Sequence, residues 1–261
     1  MTIAIFDSGA GGLTVLNTFL KLHCLADYIY FADYQHLPYG DKKPAIVAKY
    51  VLDSVNFLAK KKIDALVIAC NTATSLAIQE LRNKTIFNFP IFGMEPAVKL
   101  AVDQLHSKNK QKKAEILITA THITVHSQQL TDLKKRFSDQ ANFTTLVLGD
   151  LVKFVENKCF DQKIIDNYLK NKVDQKKHYD AIVLGCTHFS FFRKSFESLF
   201  PQSLICDGNF GTAQHVIKQL KLECPKKESK QKTKAKITFY FSQKKNKILS
   251  SKYQDLLKKL S

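Results

Sequence analysis

The sequence has none of the long apolar runs or basic leader segments that mark membrane and secreted proteins. Its longest apolar runs, such as residues 65–69 and 181–184, are far shorter than the roughly 18 to 20 residues that cross a bilayer. The N-terminus enters an apolar segment at once, without a basic region or a small-residue cleavage site. We therefore expect no membrane span, no secretory signal, a mature chain that begins at Met1, and a cytoplasmic location.

The cysteines are widely scattered along the chain, and their spacings are not those of metal sites or disulfide frameworks. The six cysteines are scattered along 261 residues: Cys24, Cys70, Cys159, Cys186, Cys206 and Cys224. No two of them form a CxxC pair, and dense disulfide frameworks are typical of short secreted chains. The sequence thus predicts reduced thiols and no structural metal. Four of the six are interpreted as small buried apolar residues: Cys24, Cys159, Cys206 and Cys224.

Acidic residues are outnumbered by basic ones, 23 to 40, which gives a net charge of +17 and a pI near 9.5. Such a charge favours binding to nucleic-acid phosphates. The lysines, however, crowd into the stretches 108–113 and 226–236, where no aromatic residues are interleaved to stack on bases. We interpret the charge as a solvated surface that does not require nucleic-acid contact.

Short apolar runs alternate with segments of helical period, which is typical of βα units that form a parallel sheet. The predicted strands are 2–6, 28–32, 65–69, 91–93, 115–119, 144–148, 181–184, 203–206 and 237–241. The main predicted helices are 45–61, 73–82, 96–107, 125–137, 212–220 and 249–260. The polar run 225–236 is predicted to be an exposed loop. The chain is therefore predicted to belong to the α/β class.

An internal repeat divides the chain into two parts. Residues 64–70 (DALVIAC) are echoed by residues 180–186 (DAIVLGC), and a weaker echo links 5–9 with 205–208. Buried parallel strands resemble one another because Val, Ile and Leu dominate them, but that does not explain the matched cysteines. The repeat predicts two related α/β halves.

Both repeated strands end in a cysteine that polar residues follow. Ligands of open parallel sheets bind outside the carboxyl ends of the strands, where Cys70 and Cys186 are expected to lie. A thiol near helix N-terminal N–H groups has its thiolate form favoured. The residues that follow would be costly to bury without partners, so we expect them to face a polar ligand: Asn71, Thr72, Thr187 and His188.

The glycine-rich loop after the first predicted strand runs DSGAGG from Asp7 to Gly12. It matches neither the dinucleotide fingerprint nor the phosphate-binding P-loop, so nucleotide binding is poorly supported. Its glycines can let backbone N–H groups approach an anion such as a carboxylate. Two more motifs are less specific: Tyr39-Gly40 is a candidate ligand contact, whereas His122 and His126 are interpreted as non-metal residues.

Four motifs in series closely resemble those of the bacterial glutamate racemases of the aspartate/glutamate racemase superfamily: DSGxGG from Asp7, PYG ending at Gly40, CNT from Cys70 and GCTH ending at His188. The resemblance implies two Rossmann-like or flavodoxin-like domains related by a pseudo-twofold axis, with the active site in the cleft between them. The expected domains are 1–95 plus 208–261, and 96–207. The resemblance also implies that the protein uses no cofactor, forms a homodimer, and converts L-glutamate to D-glutamate for peptidoglycan synthesis.

The resemblance also implies roles for individual residues. Cys70 and Cys186 resemble the paired acid/base thiols, with Asp7 assisting the first and His188 the second. The implied substrate-binding residues are Asp7, Ser8, Tyr39, Gly40, Asn71, Thr72, Thr187 and His188. Looser matches are Thr121, Thr124, Ser127 and Glu156.

Two thiols on opposite sides of a carbon atom supply the acid and the base that inversion of a stereocentre requires. Three alternatives stay open at this point. The nearest is a racemase for aspartate or another amino acid; the others are a hydrolase or lyase that uses a single thiol with His188, and a basic nucleic-acid-binding or topoisomerase-binding protein.

Overall fold

The computed structural model describes residues 1–83, 87–107, 112–225 and 235–260. The described residues leave out most of the two lysine-rich stretches, 108–113 and 226–236, and most of the predicted loop 225–236. The predictions of a solvated lysine-rich surface and of an exposed loop therefore stay untested. No helix within the described ranges is both long and apolar enough to cross a membrane.

The first of two parallel sheets has the strand order β4-β3-β1-β2-β9. Its strands are β1 (Thr2–Asp7), β2 (Asp27–Ala32), β3 (Ala65–Ile68), β4 (Ile91–Gly93) and β9 (Ile237–Phe241). The helices of the same part of the chain are α1 (Leu13–Lys21), α2 (Pro44–Ala59), α3 (Asn71–Asn83), α10 (Asn209–Leu220) and α11 (Lys247–Leu260). The last strand and helix therefore return to the sheet in which the chain began.

The second sheet has the order β6-β5-β7-β8 and is also parallel. Its strands are β5 (Ala114–Ala120), β6 (Ala141–Val147), β7 (Ala181–Leu184) and β8 (Leu204–Asp207). Its helices are α4 (Val98–His106), α5 (His122–Val125), α6 (Gln128–Arg136), α7 (Asp150–Glu156), α8 (Gln162–Lys172) and α9 (Arg193–Leu199). Two parallel sheets with flanking helices confirm the predicted α/β class.

Each half of the sequence repeat forms an interior strand of its sheet. β3 lies between β1 and β4, and β7 lies between β5 and β8. All four side chains of each strand are buried, which is why both read as unbroken apolar runs instead of alternating ones. The predicted division into domains 1–95 plus 208–261 and 96–207 stays a prediction.

The single helix predicted over 125–137 is wrong at its N-terminal end. Val125 is instead the last residue of α5, and after His126 and Ser127 a new helix, α6, begins at Gln128. The Ser127 hydroxyl accepts a 3.2 Å hydrogen bond from the Leu130 N–H and so caps α6. Serine at this position favours the start of a new helix because its side chain accepts a hydrogen bond from an N–H group that has no acceptor within the helix.

The expectation of six reduced thiols is wrong for Cys24 and Cys224, which form a disulfide bond across a sequence separation of 200. The backbone brings them together, since the Leu25 N–H donates a 2.8 Å hydrogen bond to the Glu223 carbonyl. Cys206 is a buried free thiol, as expected, but Cys159 is only half-buried. The pairing depends on α1 and α10 ending side by side, which no local pattern reveals.

Candidate active site

The first candidate thiol, Cys70, lies between the end of β3 and the first turn of α3. Its sulfur is 3.5 Å from the Ala73 backbone nitrogen, which donates to it, and 3.7 Å from the Ser8 hydroxyl oxygen. Burial, together with the nearby Asp7 carboxylate, raises the pKa of Cys70 to about 12, although the Ala73 N–H opposes this. The expected thiolate-favouring effect of the helix N-terminus is therefore outweighed by burial, and Cys70 is a protonated thiol at neutral pH.

The second candidate thiol, Cys186, follows β7 and precedes a 3-10 helix, Thr187–Phe192. The turn folds the His188 ring back, so that its Nδ1 lies 3.9 Å from the Cys186 sulfur. The other ring nitrogen, Nε2, lies 3.0 Å from Glu156 Oε1. The three side chains form a buried relay of thiol, imidazole and carboxylate, an arrangement that can activate a thiol.

His188 and Glu156 hold opposite charges. Burial lowers the pKa of His188, but the hydrogen bonds with Cys186 and Glu156 outweigh it and raise the pKa well above its usual value. Burial raises the pKa of Glu156, but His188 and the Ala10 N–H outweigh it and lower the pKa. The Gly11 N–H also points at His188 Nε2, at 3.2 Å. Because Nε2 cannot donate and accept at once, we assign its proton to the shorter contact with Glu156.

Asp7, at the end of β1, joins the two parts of the site. Its Oδ1 accepts a 2.9 Å hydrogen bond from the Gly9 N–H, and its Oδ2 accepts a 3.0 Å bond from the Thr187 hydroxyl. The side chain is completely buried, and burial raises its pKa, while His188, Gly9 and Thr187 oppose that rise. The carboxylate raises the pKa of Cys70 and interacts with His188, so it lies within the field of both thiol environments.

The glycine-rich loop meets an anion, as expected, and that anion belongs to the chain itself. The Ala10 N–H donates a 2.6 Å hydrogen bond to Glu156 Oε1. A Cβ atom on Gly9 would overlap Glu156 Oε1, and one on Gly11 would overlap the Thr187 hydroxyl. Glycine is thus required here for close contact between the two parts of the chain.

A cluster of buried polar groups includes Asn71 and Thr72, the two residues that follow Cys70. The hydroxyl oxygens of Thr72 and Thr121 are 2.9 Å apart, and Thr124 lies 3.1 Å from Thr121 and 3.4 Å from Thr72. Asn71 donates through Nδ2 to the Met94 carbonyl at 3.3 Å, whereas its Oδ1 is buried with no hydrogen-bond partner. A buried acceptor without a partner is unusual and marks a place for a donor from a ligand.

Tyr39 and Ser127 have hydrogen bonds that serve the fold. The Tyr39 hydroxyl donates a 2.6 Å bond to Asp33 Oδ2, and burial together with Asp33 raises the pKa of the phenol far above its usual value. Ser127 caps α6. The adjacent Gly40 packs against Thr121, where a Cβ atom would come within 2.9 Å of the threonine Cβ. Direct contact of Tyr39 or Ser127 with a substrate stays a prediction.

A cavity of about 790 Å³ opens beside the cluster of threonine hydroxyls. Gly40, Ser75, Ile123 and Ser127 are among the residues that line it, and Lys42, Lys43, His122 and His126 make part of its wall basic. Cys70 and Cys186 themselves are only 6% and 7% exposed. The site is therefore closed around the two sulfurs, and a substrate would need the two halves to separate.

Sequence reasoning missed two residues at the site. Thr14 donates to the Gly11 carbonyl at 2.8 Å and lies 3.2 Å from Asn209 Oδ1, so it fixes the glycine-rich loop. Lys252 of α11 reaches Glu156. No signal in the sequence distinguishes Lys252 from the other lysines. Thr14 has one, because it lies two residues after the glycine-rich loop.

The chain is similar to characterised proteins over its whole length. The Asp/Glu/Hydantoin racemase family matches residues 24–214. A glutamate racemase of Halothermothrix orenii is 42% identical over 263 residues, which cover 100% of both chains. Glutamate racemase 2 of Bacillus subtilis is 42% identical over 245 residues, which cover 93% of this chain and 89% of the relative.

Solved structures of such proteins have the same architecture. Glutamate racemase of Campylobacter jejuni superposes with a TM-score of 0.80 at 28% identity, over 99% of this chain and 98% of the other. The Escherichia coli enzyme, solved with L-glutamate and the activator UDP-MurNAc-ala, gives 0.78 at 25% identity, over 100% and 95%. Together with the sequence match, this places the chain in the Asp/Glu/Hydantoin racemase family.

Proposed function

We propose that this protein is a glutamate racemase, an isomerase that interconverts L-glutamate and D-glutamate by moving a proton on and off Cα with two thiols. The observation that supports the proposal is the contact between the surroundings of the two buried thiols. Thr187, next to Cys186, donates a 3.0 Å hydrogen bond to Asp7, and Ser8, next to Asp7, lies 3.7 Å from the Cys70 sulfur. Relatives at 42% identity that are named glutamate racemases support glutamate as the substrate.

Inversion requires a base on one face of Cα and an acid on the other, and the two thiols have environments suited to these complementary states. Burial keeps Cys70 a protonated thiol at neutral pH, whereas the Cys186 sulfur lies 3.9 Å from Nδ1 of His188. In this scheme Cys186 removes the proton of L-glutamate and Cys70 protonates the opposite face. The reverse reaction needs the opposite protonation state, in which Cys70 has given up its proton and Cys186 carries one. Cys70 then removes the proton of D-glutamate, Cys186 protonates the opposite face, and Asp7 and His188 assist the two sulfurs.

The remaining buried groups match the charges of an amino acid. Asn71 Oδ1 is an unpartnered acceptor suited to the α-ammonium group. The hydroxyls that surround the site are suited to the carboxylates: Ser8, Thr72, Thr121, Thr124 and Thr187. Hydrogen bonds to the α-carboxylate would stabilise the carbanion, and closure of the two halves would exclude water from it. The proposed reaction needs no cofactor.

A deuterium-exchange experiment tests the proposal. The purified protein is incubated with L-glutamate in D2O, and the Cα proton signal and the optical rotation are followed. The expected result is loss of both, since the carbon acquires solvent deuterium as it inverts. If the Cα proton and the rotation both stay unchanged with each enantiomer of glutamate, the proposal is wrong.

The same assay separates the alternatives. A substrate panel that includes aspartate distinguishes a glutamate racemase from a racemase for a shorter acid. A hydrolase or lyase with a single thiol would consume its substrate without inverting it and would not need the second cysteine. Supply of D-glutamate for peptidoglycan, a homodimer and a cytoplasmic location are further parts of the proposal.

A further inference from the structure

The C-terminal helix α11 belongs to the part of the chain that forms the first sheet, but it also contacts the part that forms the second sheet. Its end is bound to α1, because the Leu260 carbonyl accepts hydrogen bonds from Asn17 and Lys21 at 3.0 and 2.8 Å. In its middle, Lys252 reaches the end of α7. The Lys252 ammonium group donates a 2.7 Å hydrogen bond to the backbone carbonyl of Glu156 and lies 3.8 Å from Oε2 of the same residue.

The Glu156 carboxylate is unevenly supplied with partners. Oε1 accepts the Ala10 N–H and faces His188, whereas the buried Oε2 accepts neither of these contacts. Lys252, with a side chain only 18% exposed, is the cation placed on the Oε2 side. A buried carboxylate is costly unless an opposite charge lies close.

We propose that Lys252 is a positioning residue for the proposed racemisation. Its ammonium group keeps Glu156 ionised and directed at His188, and thereby supports Cys186 as a base. The inference rests on the proposed function. Lys252 touches neither thiol, so it acts through Glu156 and His188.

The other charged and titratable groups that face Glu156 cannot replace Lys252. His188 is the group to be supported. Burial raises the pKa of Asp7, and the Glu156 charge raises it further, so Asp7 does not stabilise an ionised Glu156. Tyr30 and Tyr253 are buried phenols. Burial raises the pKa values of both well above their usual value, the Glu156 charge raises them further, and so does a hydrogen bond with Glu156 in the case of Tyr253. Both phenols are therefore neutral, and neither supplies the positive charge that Lys252 brings. Lys252 contributes to lowering the pKa of Glu156, after His188 and Ala10.

The test compares Lys252→Met, Lys252→Gln and Lys252→Arg with Lys258→Met, a matched control on the exposed face of the same helix, where the lysine side chain is 79% exposed. For each protein we would measure kcat in both directions, the pH dependence of kcat/KM, and the primary isotope effects with L-glutamate and D-glutamate deuterated at Cα. Loss of the charge should lower kcat/KM by about tenfold, and equally in both directions because the equilibrium constant cannot change.

The isotope effects distinguish positioning from a general structural fault. If the charge supports Cys186, proton transfer at Cys186 becomes slower in the Met and Gln variants. The isotope effect should then rise with L-glutamate, whose proton Cys186 removes, and fall with D-glutamate. The acid limb of the pH profile should move to higher pH, because Glu156 without the cation is protonated more readily. Lys252→Arg should restore the wild-type values, and Lys258→Met should retain them.

Three results would overturn the inference: wild-type isotope effects and pH profile in the Met and Gln variants, an equal loss in the Arg variant, or the same loss in Lys258→Met. Unfolding curves identify a variant that fails to fold, in which case the pair Lys252→Gln and Lys252→Arg decides. A wild-type protein that neither exchanges nor inverts glutamate contradicts the proposed function instead, so the two failures are distinguishable.

Discussion

The Thr187 hydroxyl donates a 3.0 Å hydrogen bond to the Asp7 carboxylate, although 180 residues separate them. Asp7 ends β1 of the first sheet, whereas Thr187 follows β7 of the second. The bond connects the residue that follows one proposed thiol to the carboxylate proposed to assist the other. Both side chains are almost wholly buried. A buried hydrogen bond between side chains thus connects the two halves of the site.

Thr187→Val tests this connection. The substitution removes the hydroxyl while retaining a similar volume, so the buried Asp7 carboxylate loses one of its two donors. Leaving a buried polar group without its hydrogen-bond partner costs about 1 to 3 kcal/mol, and a loss of that size is expected in the free energy of unfolding measured with urea. Racemisation should slow as well. Thr187→Ser keeps the hydroxyl and serves as the control; equal losses in the two variants would contradict this account.

Cys70→Ser and Cys186→Ser test the two-thiol scheme. A serine hydroxyl is a much weaker acid than a thiol, so each variant should lose at least about 100-fold in kcat for racemisation, measured by circular dichroism of glutamate. Cys206→Ser, at a buried thiol outside the site, is the matched control. Full activity in either active-site variant would exclude the scheme.

The thiol of Cys70 should react slowly with iodoacetamide at neutral pH. Burial and Asp7 raise its pKa from 9.0 to about 12, so the thiolate is scarce until the solution is strongly alkaline. The same shift favours the folded state below pH 9, and the contribution is lost as the pH rises towards 12. Labelling followed by mass spectrometry, with the half-buried Cys159 as the internal reference, checks this prediction. Labelling of Cys70 as fast as Cys159 at pH 7 would contradict it.

Gly9→Ala tests the close contact between the glycine-rich loop and Glu156. The added methyl group would overlap the carboxylate oxygen that receives the Ala10 N–H. We expect about 1 to 3 kcal/mol of destabilisation and a fall in kcat. Gly211→Ala is the matched control, since no atom lies within 4 Å of its Cβ position, and a helical alanine there should be neutral or stabilising by up to about 1 kcal/mol. Equal effects of the two substitutions would be evidence against the contact.

The Cys24–Cys224 disulfide should contribute to stability without affecting the reaction. Neither cysteine is among the residues that contact the two proposed thiols. Reduction is therefore expected to lower the free energy of unfolding by about 2 to 4 kcal/mol and to leave kcat unchanged. Mass spectrometry after alkylation without reductant should find these two cysteines unlabelled. Six labels per chain under denaturing, non-reducing conditions would show that the bond is absent.

The sequence by itself determined the α/β class, the matched strands that end in Cys70 and Cys186, and the polar residues that follow them. These features are local: an unbroken apolar run predicts a strand buried on both faces, and parallel strands present their carboxyl ends at one edge. Helix ends were less well determined, as Ser127 illustrates, because a single capping side chain decides where a helix begins.

Tertiary structure alone decided which groups meet. The Ala10 N–H finds Glu156, Lys252 reaches the same carboxylate, and Cys24 pairs with Cys224, across 146, 96 and 200 residues. It also decided the state of Cys70, since burial overcame the helix-end effect that the sequence suggested. The physical reason is the same in each case: burial and electrostatic contact depend on distances in space, which packing of the two halves sets and local pattern does not encode.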